Sequence, residues 1–243
     1  MFWNSNRKQD TMSRPFIHEK SLNDWIIGSI QALDDPSCLT LTGLLEPGPP
    51  KASETVTPLG GRTAVQHISL ADSGDLVVKK YRRGGIMERV FKDRYLYTGS
   101  CRARSELEML VHADRCGINV PEPVFFAQKG RWLYQCWLGT QKIPNIGTLA
   151  QLAASSPDLV QQCKDLLIRQ IHRLIDHGIH HVDLHPGNVL LGTDQTVYIL
   201  DFDKAALVRG NRQTLSRKYM NRWNRAVAKH RLDPDIFDLP PFY

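Results

Sequence analysis

His181-Val182-Asp183-Leu184-His185-Pro186-Gly187-Asn188, followed by Ile199-Leu200-Asp201-Phe202-Asp203, is the stretch from which the fold can be read. An Asp and an Asn stand five positions apart, and a second Asp follows thirteen positions later, beyond an apolar run. Phosphoryl transfer needs such a set: one carboxylate to orient or deprotonate the acceptor hydroxyl, and an Asn and an Asp to hold magnesium against the phosphates. Each half alone says little, because His-Pro-Gly-Asn makes a good turn in any protein. The flanks give it weight. Val189-Leu190-Leu191 and Val197-Tyr198-Ile199-Leu200 are short apolar runs on either side of Gly192-Thr193-Asp194-Gln195, a hairpin signature. Asn188 and Asp201 then stand at the outer ends of two paired strands, facing one point.

The spacing matches the kinase catalytic loop H-x-D-x-x-x-x-N and the metal-binding D-F-x turn. On that reading Asp183 is the catalytic base, and Asn188 and Asp201 are the magnesium ligands. Further parts of a phosphotransfer site are found upstream. Gly60-Gly61 sits at the turn before an expected strand, where glycines let backbone N–H groups approach phosphates. In Val77-Val78-Lys79, Val77 and Lys79 share one face of a strand, so Lys79 points into the cleft and Lys80 away. Glu106, early on the next expected helix, is its partner. Glu108 lies roughly 200° around that helix and faces elsewhere.

The pattern around these residues is that of two unequal lobes. Ala64–Leu70 and Leu76–Tyr81 read as a hairpin. Arg104–Cys116 reads as a helix stopped by Gly117, and 124–128 with 132–137 as a second strand pair. Pro157 and Asp158 open a long helix to about Asp176, with the stripe Val160, Cys163, Leu167, Ile171 and Leu174. The expected fold is α+β, two-lobed and kinase-like: a small β-rich lobe over 59–140 and a mostly helical lobe over 141–243 with a compact activation segment. Residues 1–58 read as an N-terminal extension and linker, with an amphipathic helix from Ser21 to Leu33 and a Pro-rich loop over 34–58.

Composition narrows the class. The 243 residues are 42% hydrophobic and 23% charged, which suits a globular chain with a sizeable core. No apolar run reaches membrane-spanning length, and Met1–Asp10 lacks the apolar core of a signal peptide. Five scattered cysteines without a C-x-x-C pair read as reduced thiols rather than a metal or disulfide framework. Val182 replaces the Arg of H-R-D, and no A-P-E occurs in the forty residues after Asp203. Both features weigh against a protein substrate and favour a small molecule or sugar.

The net charge of +6 is concentrated. Residues 79–104 hold nine Lys or Arg against two acids, interleaved with Tyr81, Phe91, Tyr95 and Tyr97. Arg82, Arg83, Arg94, Arg102 and Arg104 are candidates for gripping an anionic substrate or membrane surface. No nucleic-acid motif accompanies them. Over 215–232, Leu215, Tyr219, Trp223 and Val227 recur every four residues among six cations and no acid. Tyr219 and Trp223 are expected to pack on the helical lobe, leaving a basic face for solvent or phospholipid headgroups.

Tyr81-Arg82-Arg83-Gly84-Gly85, Asp93-Arg94-Tyr95-Leu96-Tyr97, Gly117-Ile118-Asn119-Val120-Pro121-Glu122-Pro123, the H-x-D loop and Asp201-Phe202-Asp203 together resemble the bacterial lipopolysaccharide core kinases. The resemblance runs over roughly 59–232 and is nearest to the members that phosphorylate 3-deoxy-D-manno-octulosonic acid (Kdo). It implies ATP and magnesium, an anionic glycolipid acceptor of the Kdo-lipid A type phosphorylated on its 4-hydroxyl, and peripheral work at the cytoplasmic face of the bacterial inner membrane. It also implies the base, metal-ligand and phosphate-positioning roles given above. His185-Pro186-Gly187 is similar to the loop of aminoglycoside phosphotransferases, so a heptose kinase or an aminoglycoside-type phosphotransferase stands as an alternative. A non-catalytic nucleotide-binding membrane protein is a third reading.

Overall fold

Residues 16–46, 64–70, 73–82 and 94–242 are described by a computed structural model of the chain. In chain order the small lobe contains β1 (His18–Leu22), β2 (Trp25–Ser29), α1 (Asp35–Leu45), β3 (Ala64–Leu70), β4 (Gly74–Lys80), β5 (Tyr95–Leu96), α2 (Arg102–Arg115), β6 (Pro123–Lys129) and β7 (Leu133–Gln141). One antiparallel sheet runs β1-β2-β6-β7-β4-β3, with β5 paired to the start of β7.

Both faces of this sheet are covered, so its central strands are apolar on both sides. Trp25, Ile27, Leu76, Val78, Phe125 and Trp137 form one cluster with Leu41 and Leu45 of α1. Tyr81, Phe126, Cys136 and Leu138 face the other way, onto Ala103, Leu107 and Leu110 of α2, in a core continuous with the second lobe. The alternation along β4 sends Leu76 and Val78 into the first cluster and turns Val77 and Lys79 toward the cleft.

The N-terminal segment corrects two expectations. Ser21–Leu33 is not a helix. Leu22 pairs with Trp25 across Asn23-Asp24, with Asn23 at a left-handed φ of 54°, and the strands continue the sheet. Two-residue turns with Asn in that conformation are hairpin turns. Leu22, Trp25, Ile26 and Ile30 do fit a helical stripe, but Trp25, Ile27 and Ser29 also alternate, and pairing with β6 decides for the strand. Part of the expected loop is α1. Asp34 caps it by accepting from Ser37 N at 2.8 Å, and Pro36 occupies its first turn. The remaining expectation there, over 47–58, lies outside the described residues.

The second lobe follows as β8 (Asn145–Thr148), α3 (Leu149–Ser155), α4 (Pro157–Asp176), β9 (Ile179–His180), a 3₁₀ turn at Pro186–Asn188, β10 (Val189–Gly192), β11 (Val197–Ile199), β12 (Ala206–Leu207), α5 (Arg212–Lys229) and α6 (Pro234–Phe237). The bounds of α4 are those read from the sequence, and its stripe is buried. Leu215, Tyr219, Trp223 and Val227 of α5 are buried too, as the four-residue recurrence requires. The lobes are joined by the connection from β7 to β8 and where Ile199 N of β11 donates to Asn119 O, between α2 and β6, at 2.9 Å. The architecture is α+β and two-lobed, of the protein-kinase type.

Candidate active site

The cleft is organised by Lys79. Its Nζ lies 3.0 and 3.2 Å from the two oxygens of Glu106 on α2, and 2.5 Å from Oδ1 of Asp201 beyond β11. Tyr81, two positions along the chain from Lys79, donates its hydroxyl to the same Glu106 carboxylate. Three segments far apart in sequence thus converge on one ammonium group. Burial lowers the Lys79 pKa, but the carboxylates of Glu106 and Asp201 more than reverse this and leave it raised. Burial pushes Glu106 up, only partly opposed by Lys79. For Asp201 burial acts upward, yet Lys79 outweighs it and the carboxylate titrates below its usual range. Lys79 and Asp201 are therefore charged at neutral pH.

Asp201 holds a left-handed backbone, φ 61°, which Asp tolerates better than most residues. Its neighbours fix it. Phe202 is buried and meets His181 edge-on at 4.7 Å between ring centroids. Asp203 receives Arg102 of α2 through two bonds, Nε to Oδ1 at 2.6 Å and Nη2 to Oδ2. Such forked pairs are the strongest hydrogen-bonded ion pairs in proteins.

His181 is a strut rather than a proton carrier. Fully enclosed, it has a pKa depressed to about 4 by burial. In its neutral form Nε2 donates to Leu200 O at 2.9 Å, immediately before Asp201. Its backbone N–H donates to Tyr219 of α5 at 2.9 Å, and Tyr219 donates on to Ile179 O at 2.6 Å.

Asp183 opens onto the cleft with 42% of its side chain exposed. Asn188 is tied to it: Nδ2 donates to the Asp183 carbonyl at 3.0 Å, while Leu200 N donates to the Asn188 carbonyl at 2.9 Å. With Nδ2 engaged, the Asn188 side-chain oxygen remains as the group a cation would take. Asn188 and Asp201 supply hard oxygen donors, the chemistry magnesium selects, and a phosphate-bound magnesium draws its other ligands from substrate and water. No group of three His, Cys, Asp or Glu suited to a metal occurs among the described residues.

Beside this cluster a cavity of about 520 Å³ opens between the lobes. Val65 and Val77 line it from the small lobe, Leu190 and Leu200 from the catalytic hairpin, and Gln141 and Ile143 from the connection between lobes. The lining of this slot mixes apolar side chains with polar ones such as His67, Asn145 and Gln151, the composition of a small-molecule pocket.

The expected residues thus divide. Lys79, Glu106 and Asp201 meet directly, and the Asp183–Asn188 loop is tied to them through the bond from Leu200 N to Asn188 O. Gly60, Gly61 and Arg83 lie outside the described residues. Arg82 and Arg94 are exposed. Arg102 and Arg104, expected to face an anionic substrate or membrane, are turned onto protein carboxylates: Arg102 onto Asp203, Arg104 onto Glu19 at 2.8 Å and Glu108 at 3.0 Å. Two features had no signal in the sequence. One is the slot, which is built from side chains of separate strands, of α3 and of the connection between lobes. The other is Arg222 of α5, whose Nη2 donates to Oδ1 of Asp183.

The description of one family, "Lipopolysaccharide kinase (Kdo/WaaP) family", fits residues 53–234 of this chain. A 3-deoxy-D-manno-octulosonic acid kinase of Vibrio cholerae is 32% identical over 151 residues, covering 58% of this chain and 64% of that protein. Another of that name, from Vibrio vulnificus, is 30% identical over 165 residues, covering 65% and 67%. The match thus spans less than two thirds of the first relative's length. Among solved structures, a MAP kinase of Leishmania major aligns with a TM-score of 0.43 at 21% identity, over 58% of this chain and 42% of that one.

Proposed function

The chain belongs to the lipopolysaccharide kinase (Kdo/WaaP) family, and we propose that it transfers the γ-phosphoryl group of ATP to the 4-hydroxyl of Kdo on a lipid A precursor. The observation that carries this reading is the convergence of Glu106 and Asp201 on Lys79, beside the Asp183–Asn188 loop. That arrangement is the assembled state of a phosphotransfer site, in which the lysine is held by a helix and aimed at the phosphates.

The adenine enters the slot between Val77 and Leu190. Lys79, kept in place by Glu106, contacts the phosphates and exchanges its Asp201 bond for them. Asn188 and Asp201 would hold Mg²⁺. When bound, the ion neutralises phosphate charge that builds during transfer. Asp183 takes the acceptor hydroxyl at its exposed carboxylate, aligns it with the γ-phosphorus and receives its proton. His181 and the Arg102–Asp203 fork keep the Asp201 turn from shifting, so that the reacting groups are pre-aligned.

The Kdo kinase names of the relatives support the acceptor, and in this reading ATP and the lipid-borne acceptor are met at the cytoplasmic face of the inner membrane. No helix among the described residues is long and apolar enough to cross a membrane, and attachment there is peripheral in this reading. Exposed Arg82 and Arg94 and the basic face of α5 are its candidate contacts. Purified protein incubated with ATP, magnesium and Kdo-lipid A precursor should add one phosphoryl group, located on the Kdo ring by mass spectrometry. Transfer to a heptose acceptor with none to Kdo would replace this reading with the heptose kinase alternative.

A further inference from the structure

Arg222 stands next to the buried Trp223 on α5 and reaches the catalytic loop, 39 positions away in sequence, to donate from Nη2 to Oδ1 of Asp183. A cation fixed on a carboxylate favours its charged form and so weakens it as a base. That is an awkward partner for a group that must accept a proton. Three further observations bear on it. The helix from Arg212 to Lys229 carries no acid that could compete for the guanidinium. The Nε of Arg222 is buried without a hydrogen-bond partner. Both side chains remain partly open, Arg222 at 31% and Asp183 at 42%. Among the described residues, the other oxygen of Asp183 faces His185 Nε2 at 3.9 Å, beyond hydrogen-bond range.

The guanidinium thus keeps one donor without a partner, is about a third exposed at 31%, and touches the carboxylate expected to meet the acceptor. A guanidinium fork matches a carboxylate in two parallel bonds. The acceptor proposed above is a sugar acid, ionised at neutral pH.

We infer that Arg222 is the docking point for the carboxylate of the acceptor sugar. Without acceptor it rests on Asp183. When an acidic sugar arrives, its carboxylate takes the guanidinium donors, and Asp183 turns to the sugar hydroxyl. The hydroxyl oxygen then bonds to the γ-phosphorus as the bond from that phosphorus to the bridging oxygen breaks. The hydroxyl proton passes to Asp183, and ADP leaves. A sugar without the acid cannot draw Arg222 away, so one contact serves both recognition and release of the base. The inference rests on the Kdo reading and names the residue that would give it its acid specificity.

The test uses the full-length protein, ATP, magnesium and two acceptors: Kdo-lipid A precursor and the same glycolipid with its Kdo carboxylate converted to the methyl ester. The wild type should favour the acid in kcat/KM by roughly ten- to hundredfold, the range of a charge-assisted fork. Arg222→Gln should lose about that factor on the acid but gain on the ester, because nothing then holds Asp183, with the KM for ATP within about twofold of wild type. Arg222→Lys, which keeps the charge but not the fork, should fall between. Thermal melting with and without ATP checks that both variants fold. Equal losses on acid and ester would overturn the inference and assign Arg222 to the phosphoryl group or to the fold, and an unchanged Arg222→Gln would overturn it as well. Wild-type activity on a heptose acceptor but on neither Kdo glycolipid would overturn the Kdo reading itself and this inference with it.

Discussion

Lys79 and Asp201, 122 positions apart in the chain, meet at 2.5 Å between Nζ and Oδ1, with Glu106 closing the triangle from α2. The contact spans the two lobes and sets the distance between the strand that carries the lysine and the turn expected to bind metal. It also makes the site a load on stability, because Glu106 is nearly fully enclosed and titrates high.

Removing Lys79 should therefore cost both activity and stability. Lys79→Met is expected to lower kcat/KM by about a hundredfold or more, the effect of losing one pre-organised charge. It should also destabilise the protein by about 3 kcal/mol, since a buried carboxylate loses its partner. Lys79→Met combined with Glu106→Gln should regain much of that stability and none of the activity. A double-mutant cycle by urea denaturation and steady-state kinetics measures both.

The Arg102–Asp203 fork should act on ATP through the turn it holds. Asp203→Asn leaves a half-paired guanidinium and is expected to cost about 2 kcal/mol. It should raise the KM for ATP several-fold while leaving that of the acceptor less changed. If Arg102 instead served the acceptor, the acceptor KM would move first.

Stability should fall on acidification because His181 is buried neutral. Its folded pKa, about 4, lies below its ordinary value of 6.5. The stabilisation it provides is complete above pH 6.5 and is lost as pH falls toward 4, with a slope up to about 1.4 kcal/mol per pH unit. Burial also lowers the pKa of His112, His180 and His185, so their contributions share this sign. Urea midpoints between pH 7.5 and pH 4.5 should show a decline that begins near pH 6.5, and a flat profile would contradict the buried neutral state.

The β1–β2 hairpin should be integral to the small lobe. A Cβ at Gly28 would sit 2.1 Å from Phe126 Cε1 and 2.9 Å from Ile17 Cγ2. Gly28→Ala is therefore expected to destabilise by about 1–3 kcal/mol through overpacking. Differential scanning calorimetry checks it, and an unchanged melting temperature would mean the hairpin is dispensable.

What could be read from the sequence follows from how locally each feature is encoded. The Asp183–Asn188 loop and Asp201 were legible because one hairpin brings them together and its turn is written between them. Lys79 and Glu106 were legible from strand alternation and helix position, each a short-range property. The helix expected over Ser21–Leu33 fails because a stripe of four apolar residues fits two periodicities in so short a window, and only pairing with β6 selects one. Likewise α1 was hidden by the proline in its first turn. The slot and the Arg222–Asp183 contact depend on how distant elements pack, and no residue spacing encodes that.

Asp183 carries the central claim. The most direct measurement follows phosphate onto the Kdo-lipid A precursor by mass spectrometry for wild type and Asp183→Ala, with ATP binding measured by calorimetry on the same samples. The expected result is one phosphoryl group added by wild type, transfer by Asp183→Ala reduced at least about a hundredfold, and ATP affinity within about threefold. Transfer by Asp183→Ala at the wild-type rate would contradict the account.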